Sequence, residues 1–347
     1  MSNKKTYICY LHPEAGYRPE LRSDTLWGLI CWGIRLMYGE KSLTDFLASY
    51  SNDPELTISS AFPFKRYGKD TLLYFPLPFI KSYAPSENSD NYLEMYRLRK
   101  DVKKVRWVNQ SDFNKVLKAE LTEEHLWERA QKAKEHEHSQ ELVAQSPPRL
   151  DTQTVTHNTI DRINLSTLTI EGGGGQLFHI EERFVVDDLN ESSNARNTGL
   201  YFLAEATEDT MHKIAAVLRF YRFNGLGGDR STGKGTFQFD YEEFDQLETP
   251  QDANMQVSLS LYHPTDAELN GYETSSDNAS MSYLLERRSG RIGFWTTNMR
   301  KDPMLYFKEG SVFPLLNQTH YGMTPALTAG QHNYYSYGHA FMVKMKI

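Results

Sequence analysis

Residues 225–235 read Gly225-Leu226-Gly227-Gly228-Asp229-Arg230-Ser231-Thr232-Gly233-Lys234-Gly235, and the segments on either side of them decide the fold. Upstream, Met211, Ile214, Ala215 and Leu218 recur at the spacing of one helical face. Downstream, Phe237, Phe239 and Tyr241 alternate as a strand. A helix enters this loop and a strand leaves it. Five glycines in eleven residues let the backbone turn sharply and approach a ligand closely. Amides released by such turns form anion-binding nests. Arg230 and Lys234 add positive charge, and Ser231 and Thr232 add hydroxyl donors, so phosphate is the natural guest. A purely structural glycine turn is the alternative. Gly228 to Lys234 also fits the opening of a P-loop, but Gly235 stands where a magnesium-holding Ser or Thr is required. The helix–loop–strand order is likewise the reverse of a P-loop, which disfavours an NTPase.

Outward from the loop, Leu177 to Val186 and Leu200 to Ala206 predict two strands joined by an acidic, Asn/Ser-rich connection. Residues 5–11 read as a buried strand. Ser23 and Asp24 read as the cap of a helix carrying Leu26, Ile30, Ile34 and Met37 on one face, ended by Gly39. Residues 57–83 are rich in Pro, Phe and Tyr and predict extended edge segments. From 84 to 150 the texture changes to a basic cluster (Arg97, Arg99, Lys100, Lys103, Lys104, Arg106) and then a charged helical stretch from Glu120 to Glu141. Its apolar residues are too few for an independent core, which makes it an insertion.

The order β-α-(insert)-β-β-α-β is the ferredoxin-like arrangement, the four-stranded sheet that RRM modules use to hold RNA. Past an acidic linker, Val257, Leu259 and Leu261 open a second unit. Strands are expected there at Ile292–Trp295, at Met304–Phe307 and over Phe341–Ile347. The expected fold class is α+β. A ferredoxin-like domain over 1–250, with a large helical or irregular insertion at about 84–150, precedes a reduced ferredoxin-like domain over 251–347.

Composition sets the bounds. The 347 residues carry a formal net charge of −7 and 39% hydrophobic residues, with no apolar run of membrane-spanning length. Two cysteines, Cys9 and Cys31, lie in apolar segments, so a reducing cytoplasm is expected. The net negative charge does not exclude nucleic acid, which responds to local basic surface. Arg219, Arg222, Arg230 and Lys234 surround the glycine loop, while acid concentrates at Glu181–Glu191 and Asp240–Asp252.

Loop and element order together resemble the RAMP superfamily of CRISPR RNA-binding proteins. Ser23-Asp24-Thr25-Leu26-Trp27-Gly28 looks like the S-D-T-L element of that superfamily, and His157-Asn158-Thr159-Ile160-Asp161-Arg162 resembles its H-N-x-I-D-R motif. Glu309-Gly310-Ser311 and Tyr337-Gly338-His339-Ala340-Phe341 are similar to the C-terminal domain of the Csm subunit that caps the guide's 5′ tag. The resemblance covers residues 5–83, 155–243 and 281–347. It implies a non-catalytic subunit of a type III-A complex that holds the crRNA 5′ tag. Its implied partners are the large palm-domain subunit and the adjacent backbone subunit, with no membrane, cofactor or metal. The expected RNA-binding residues are His157, Asn158, Arg162, Gly225, Gly227, Gly228, Arg230, Ser231, Thr232, Gly233, Lys234 and Gly235. For Arg162 the alternative is an internal salt bridge to Asp161 or another acid.

The rival readings are a repeat-cleaving endoribonuclease on the same scaffold, with His12, His157 or His179 as general base, and a pure protein scaffold. His136 and His138 flank Glu137, but alternate residues on a helix face apart, and nothing resembles a zinc pattern.

Overall fold

The computed structural model describes residues 3–67, 70–79, 105–121, 146–169, 177–186, 197–275, 281–290, 300–329 and 332–347. Strand β1 (Lys5–Pro13) lies one strand in from the edge of the main antiparallel sheet, and its two faces serve two cores. Tyr7, Cys9 and Leu11 point into one core, and Ile8 and Tyr10 into the other, as a period of two dictates. β1 pairs on one side with β10 (Thr198–Ala206) and on the other with β11 (Phe237–Glu243). Beyond β10 come β2 (Leu56–Ile58) and β3 (Phe62–Tyr67), then β4 (Asp70–Pro76) and β5 (Trp107–Asn109).

Both β2 and β3 pair with β10, so they are one strand interrupted at residues 59–61. At the interruption the Ser59 hydroxyl accepts the Leu203 N–H, Ser60 N–H donates to Leu259 O, and Ala61 N–H donates to Leu21 O. This corrects the expectation for the Pro/Phe-rich segment, which is an inner strand rather than an edge. Pro63 is tolerated opposite Leu200 beside the break. It also corrects the role of Leu177–Val186, which forms a strand outside this sheet's path. That strand, β9 (Leu177–Val186), pairs along its whole length with β6 (Arg149–Asn158) in a two-stranded ribbon, from Arg149↔Val186 to Asn158↔Leu177. Thr152, Thr154 and Thr156 of β6, alternating with Gln153 and Val155, are a strand signal.

Helices α1 (Ser23–Ser49) and α3 (Glu208–Asn224) cover one face of the sheet. Leu26, Ile30 and Ile34 meet Met211, Ile214 and Leu218 over Tyr7, Cys9 and Phe202. Gly39 breaks α1 at φ +88° instead of ending it, and the chain re-enters helix as far as Ser49. α3 starts on a Thr207 side-chain cap to the Thr210 N–H, with Glu208 and Asp209 in its first turn. The other face is covered by α2 (Gln110–Leu117) and by a three-stranded sheet of β15 (Val312–Pro314), β12 (Met255–Ser258) and β18 (Met342–Met345). Phe113, Met255, Val257, Val312, Val343 and Met345 pack there against Ile8, Phe62, Phe75 and Tyr201.

Within the insertion, residues 105–121 add an edge strand and a helix to this core, and 149–150 open β6. The Arg97–Lys104 cluster, most of the charged stretch, His136–His138 and Ile292–Trp295 lie outside the described residues. The C-terminal unit also holds α4 (Asp266–Thr274), opened by a Thr265/Glu268 capping box, and the hairpin β13 (Leu285–Arg288) with β14 (Met304–Phe307). Two further small pairs complete the described strands: β7 (Ile160–Asp161) with β8 (Ser166–Thr167), and β16 (Ala326–Ala329) with β17 (His332–Tyr335). The chain is α+β, with antiparallel sheets and few described helices. No described helix is long and apolar enough to cross a membrane.

Candidate nucleic-acid interface

The glycine loop is built by close approach to residues 16–18. Gly227 has φ +85°, and a Cβ there would sit 1.5 Å from the Arg18 carbonyl oxygen. Gly235 has φ +71°, and its Cβ would meet Leu226 O at 2.0 Å. Both positions exclude any other residue. The Leu226 N–H donates to Gly235 O (2.6 Å), Gly228 N–H to Arg18 O (3.2 Å) and Gly235 N–H to Gly16 O (2.9 Å). Gly225 N–H closes α3 on Tyr221 O. The Gly225, Gly228 and Gly235 amides are spent on the protein, and Gly227 is required by its close approach to Arg18, so Gly225, Gly227 and Gly235 shape the loop. The part that faces solvent is the tip: Gly228, Ser231, Thr232 and Gly233 are exposed, around a short 3-10 turn at Arg230–Thr232. Arg230 is partly buried beside Tyr221, and burial lowers its guanidinium pKa. Thr232 Oγ1 donates to Asp229 O, and Arg18 Nη1 pairs with Asp229 Oδ2 at 2.8 Å. Lys234 turns inward, its Nζ 2.8 Å from Oε2 of the buried Glu182 on β9.

The second motif lies further along the ribbon. Glu182 stands opposite Gln153, and Asn158 ends β6, so the two places are ~17 Å apart along the strand. His157 stacks on Phe178 (5.5 Å between centroids), with Nε2 buried and unpartnered. Asn158 Nδ2 donates to Thr167 Oγ1 at 2.7 Å. Asp161 accepts the Ile163 N–H and the Asn164 amide, which hold its carboxyl below the usual range. It does not pair with Arg162. The Arg162 side chain is exposed, with no ion-pair partner among the described residues. Ile163 (91% exposed), Leu165 and Leu177 are exposed as well, so this end of the ribbon stands clear of the described body.

The histidines do not converge. His12 is buried edge-on to Phe64, 3.9 Å from Asp240 Oδ2. His157 and His179 occupy adjacent cross-strand pairs and therefore point to opposite faces of the ribbon. His179 bonds Thr156. No cluster of metal-ligating side chains occurs among the described residues. The RRM analogy also fails in one respect. The aromatics that would form an open stacking platform, Tyr10, Phe62, Phe64, Phe75 and Tyr201, are buried under α2 and the C-terminal sheet.

Asp24 has a role other than the expected cap. Arg22 occupies the cap position without a side-chain bond. Asp24 instead takes the Arg288 guanidinium through Nη2 (2.9 Å) and Nε (3.1 Å). Beside it the buried Arg22 pairs with Glu309 and with Glu286 (2.5 Å), and Ser60 donates to Glu309. Ser23 Oγ accepts the Leu261 N–H, and Ser23 N–H donates to Ser60 Oγ. The S-D-T-L element and Glu309 are therefore one junction between the two halves of the chain. Partners more than 200 residues apart gave no local signal of it.

The RAMP superfamily model matches residues 12–238, most of the chain. The chain belongs to the RAMP superfamily. A second model, the CRISPR Csm4 C-terminal domain, matches residues 251–345, so the two matches lie on either side of the acidic linker. Among RAMP relatives, a Streptococcus thermophilus CRISPR system Cms protein Csm4 is 30% identical over 155 residues, 40% of this chain and half of that protein's length. Its namesake from Thermococcus onnurineus (strain NA1) is 23% identical over 344 residues, 97% of this chain and 96% of that one. In fold, the chain is similar to one in the crystal structure of a Csm3–Csm4 subcomplex of the type III-A interference complex (TM-score 0.62, 16% identity, 98% and 100% covered). It is also similar to one in a Csm1–Csm4 cassette bound to pppApA (TM-score 0.57, 20% identity, 99% and 98% covered).

Proposed function

We propose that this RAMP protein is a non-catalytic subunit of a type III-A CRISPR effector complex that holds the repeat-derived 5′ tag of the crRNA. One observation carries the reading: a RAMP match and a Csm4 C-terminal match tile a single chain. That chain is similar in fold, over almost its whole length, to one chain of a Csm3–Csm4 subcomplex. The proposed partners are accordingly a Csm1-type large palm-domain subunit and a Csm3-type backbone subunit, assembled in the cytoplasm. In architecture we read a ferredoxin-like unit over 1–250, its sheet ordered β11-β1-β10-β2/β3, with an insertion at about 84–150. A reduced second unit covers 251–347.

A single-stranded tag needs phosphate grips and stacking surfaces rather than an acid–base pair. The exposed loop tip, with Gly228, Arg230, Ser231, Thr232 and Gly233, takes backbone phosphate, while Gly225, Gly227 and Gly235 hold its shape. His157, Asn158 and Arg162 meet RNA at the ribbon. The test is to copurify RNA with the chain expressed beside its CRISPR array and to sequence the 5′ ends. A single repeat-derived 5′ end is expected. Heterogeneous RNA would overturn the tag assignment. Specific repeat cleavage lost in His157→Ala or His12→Ala would replace it with the endoribonuclease.

A further inference from the structure

At the base of the ribbon three segments meet: residues 16–18, the start of the glycine loop, and Glu182–Phe184 of β9. The Tyr17 and Arg183 backbones exchange two hydrogen bonds of 3.1 Å. Gly16 O and Arg18 O accept from Gly235 and Gly228 on the other side. Residues 16–18 are therefore a spacer strip between ribbon and loop, and it is tightly packed. A Cβ at Gly16 would lie 2.8 Å from the Phe184 ring and 2.9 Å from Glu182 Oε2. The Lys234–Glu182 ion pair spans the strip and joins loop to ribbon directly.

Glu182 is 2% exposed, and its Oε1 has no hydrogen-bond partner. Lys234 is therefore the cation that makes this buried carboxylate tolerable. A lysine drawn off to an RNA phosphate would leave the carboxylate uncompensated in a low-dielectric place, while its new partner would be screened by water. The exchange is unfavourable. We infer that Lys234 is a positioning residue: through Glu182 it clamps the ribbon to the glycine loop and fixes where the Arg162 end stands relative to the phosphate-binding tip. This rests on the reading that loop tip and ribbon meet RNA, and it removes Lys234 from the direct phosphate contacts.

The clamp is tested in the full-length protein without RNA, by amide hydrogen exchange at Tyr17, Arg183, Gly228 and Gly235, with Ile30 in α1 as an internal reference. Lys234→Ala should speed exchange at the four junction amides by about tenfold, a moderate value because the lysine end is a third exposed. The Ile30 amide should not change. Glu182→Gln should do the same, and Lys234→Arg, which keeps a cation within reach, should restore protection. Unchanged junction exchange in both Lys234→Ala and Glu182→Gln would overturn the clamp. With repeat RNA, Lys234→Ala should leave the log–log salt slope unchanged, and a slope shallower by about 0.7 would make Lys234 a phosphate ligand after all. Arg230→Ala separates this from the parent reading. If that variant also leaves the slope unchanged, the loop tip is not the phosphate grip, whatever the junction amides report.

Discussion

Arg162 is the residue on which chemistry and sequence agree best. Its neighbour Asp161 is engaged by Ile163 and Asn164, so the alternative of a salt bridge to Asp161 is not formed and the Arg162 side chain is exposed. A guanidinium clamps a phosphate with two parallel bonds or stacks on a base, and lysine does neither. Arg162→Lys should therefore weaken RNA binding nearly as much as Arg162→Ala, by about tenfold, with the melting temperature unchanged in both. Lowered melting with unaltered affinity of the folded fraction would assign Arg162 to stability. Lys234 teaches the opposite lesson. Its position in a glycine loop suggested a phosphate grip, and only the fold reveals the buried carboxylate behind it. A side chain's sequence neighbours predict its company well when that company is local, as at Asp161. They predict it poorly when the partner arrives from another strand.

Elements were legible in proportion to how far their own periodicity determined them. β1, α3 and β11 each carry a clean repeat and a clear boundary, and each forms where the pattern placed it. Pairing partners were not legible, because alternation marks a strand's faces and not its neighbours. Hence Leu177–Val186 formed as expected but paired with β6 instead of joining the main sheet. The helix α4 was missed although Thr265 and Glu268 spell a capping box, since its apolar face is short and only Glu268 and Tyr272 are buried. That box makes α4 testable. Thr265→Ala removes the acceptor for the Glu268 N–H and should cost about 1 kcal/mol. The urea midpoint should fall with the slope unchanged. A midpoint identical to the parent's would mean that packing alone holds α4 in place.

At the scale of the whole molecule, the two halves share one interior. The second core takes Ile8, Tyr10 and Tyr201 from the main sheet and Met255, Val257 and Val343 from the C-terminal sheet. The Arg22–Glu309 junction closes its flank. His339 links this packing to pH. It is buried against Tyr50 and Tyr337, and burial first, then His320, lowers its pKa from 6.5 to about 4. The unfolded chain therefore binds a proton that the native state refuses. Stability is fully present above about pH 6.5 and is lost as pH falls toward 4, by about 3 kcal/mol from this group. His339→Phe should flatten that part of a stability-versus-pH curve, and an unchanged curve would mean that other groups govern acid unfolding.

The covered sheet has a last consequence. An RRM-type sheet usually offers bases a broad floor, and here that floor has become a wall between rooms. RNA held by this protein as proposed would run along its rim, where exposed rings such as Phe223 beside the glycine loop and Phe178 in the ribbon stand singly. Discrimination between bases then depends on the path into which the strand is bent, more than on a row of stacked bases.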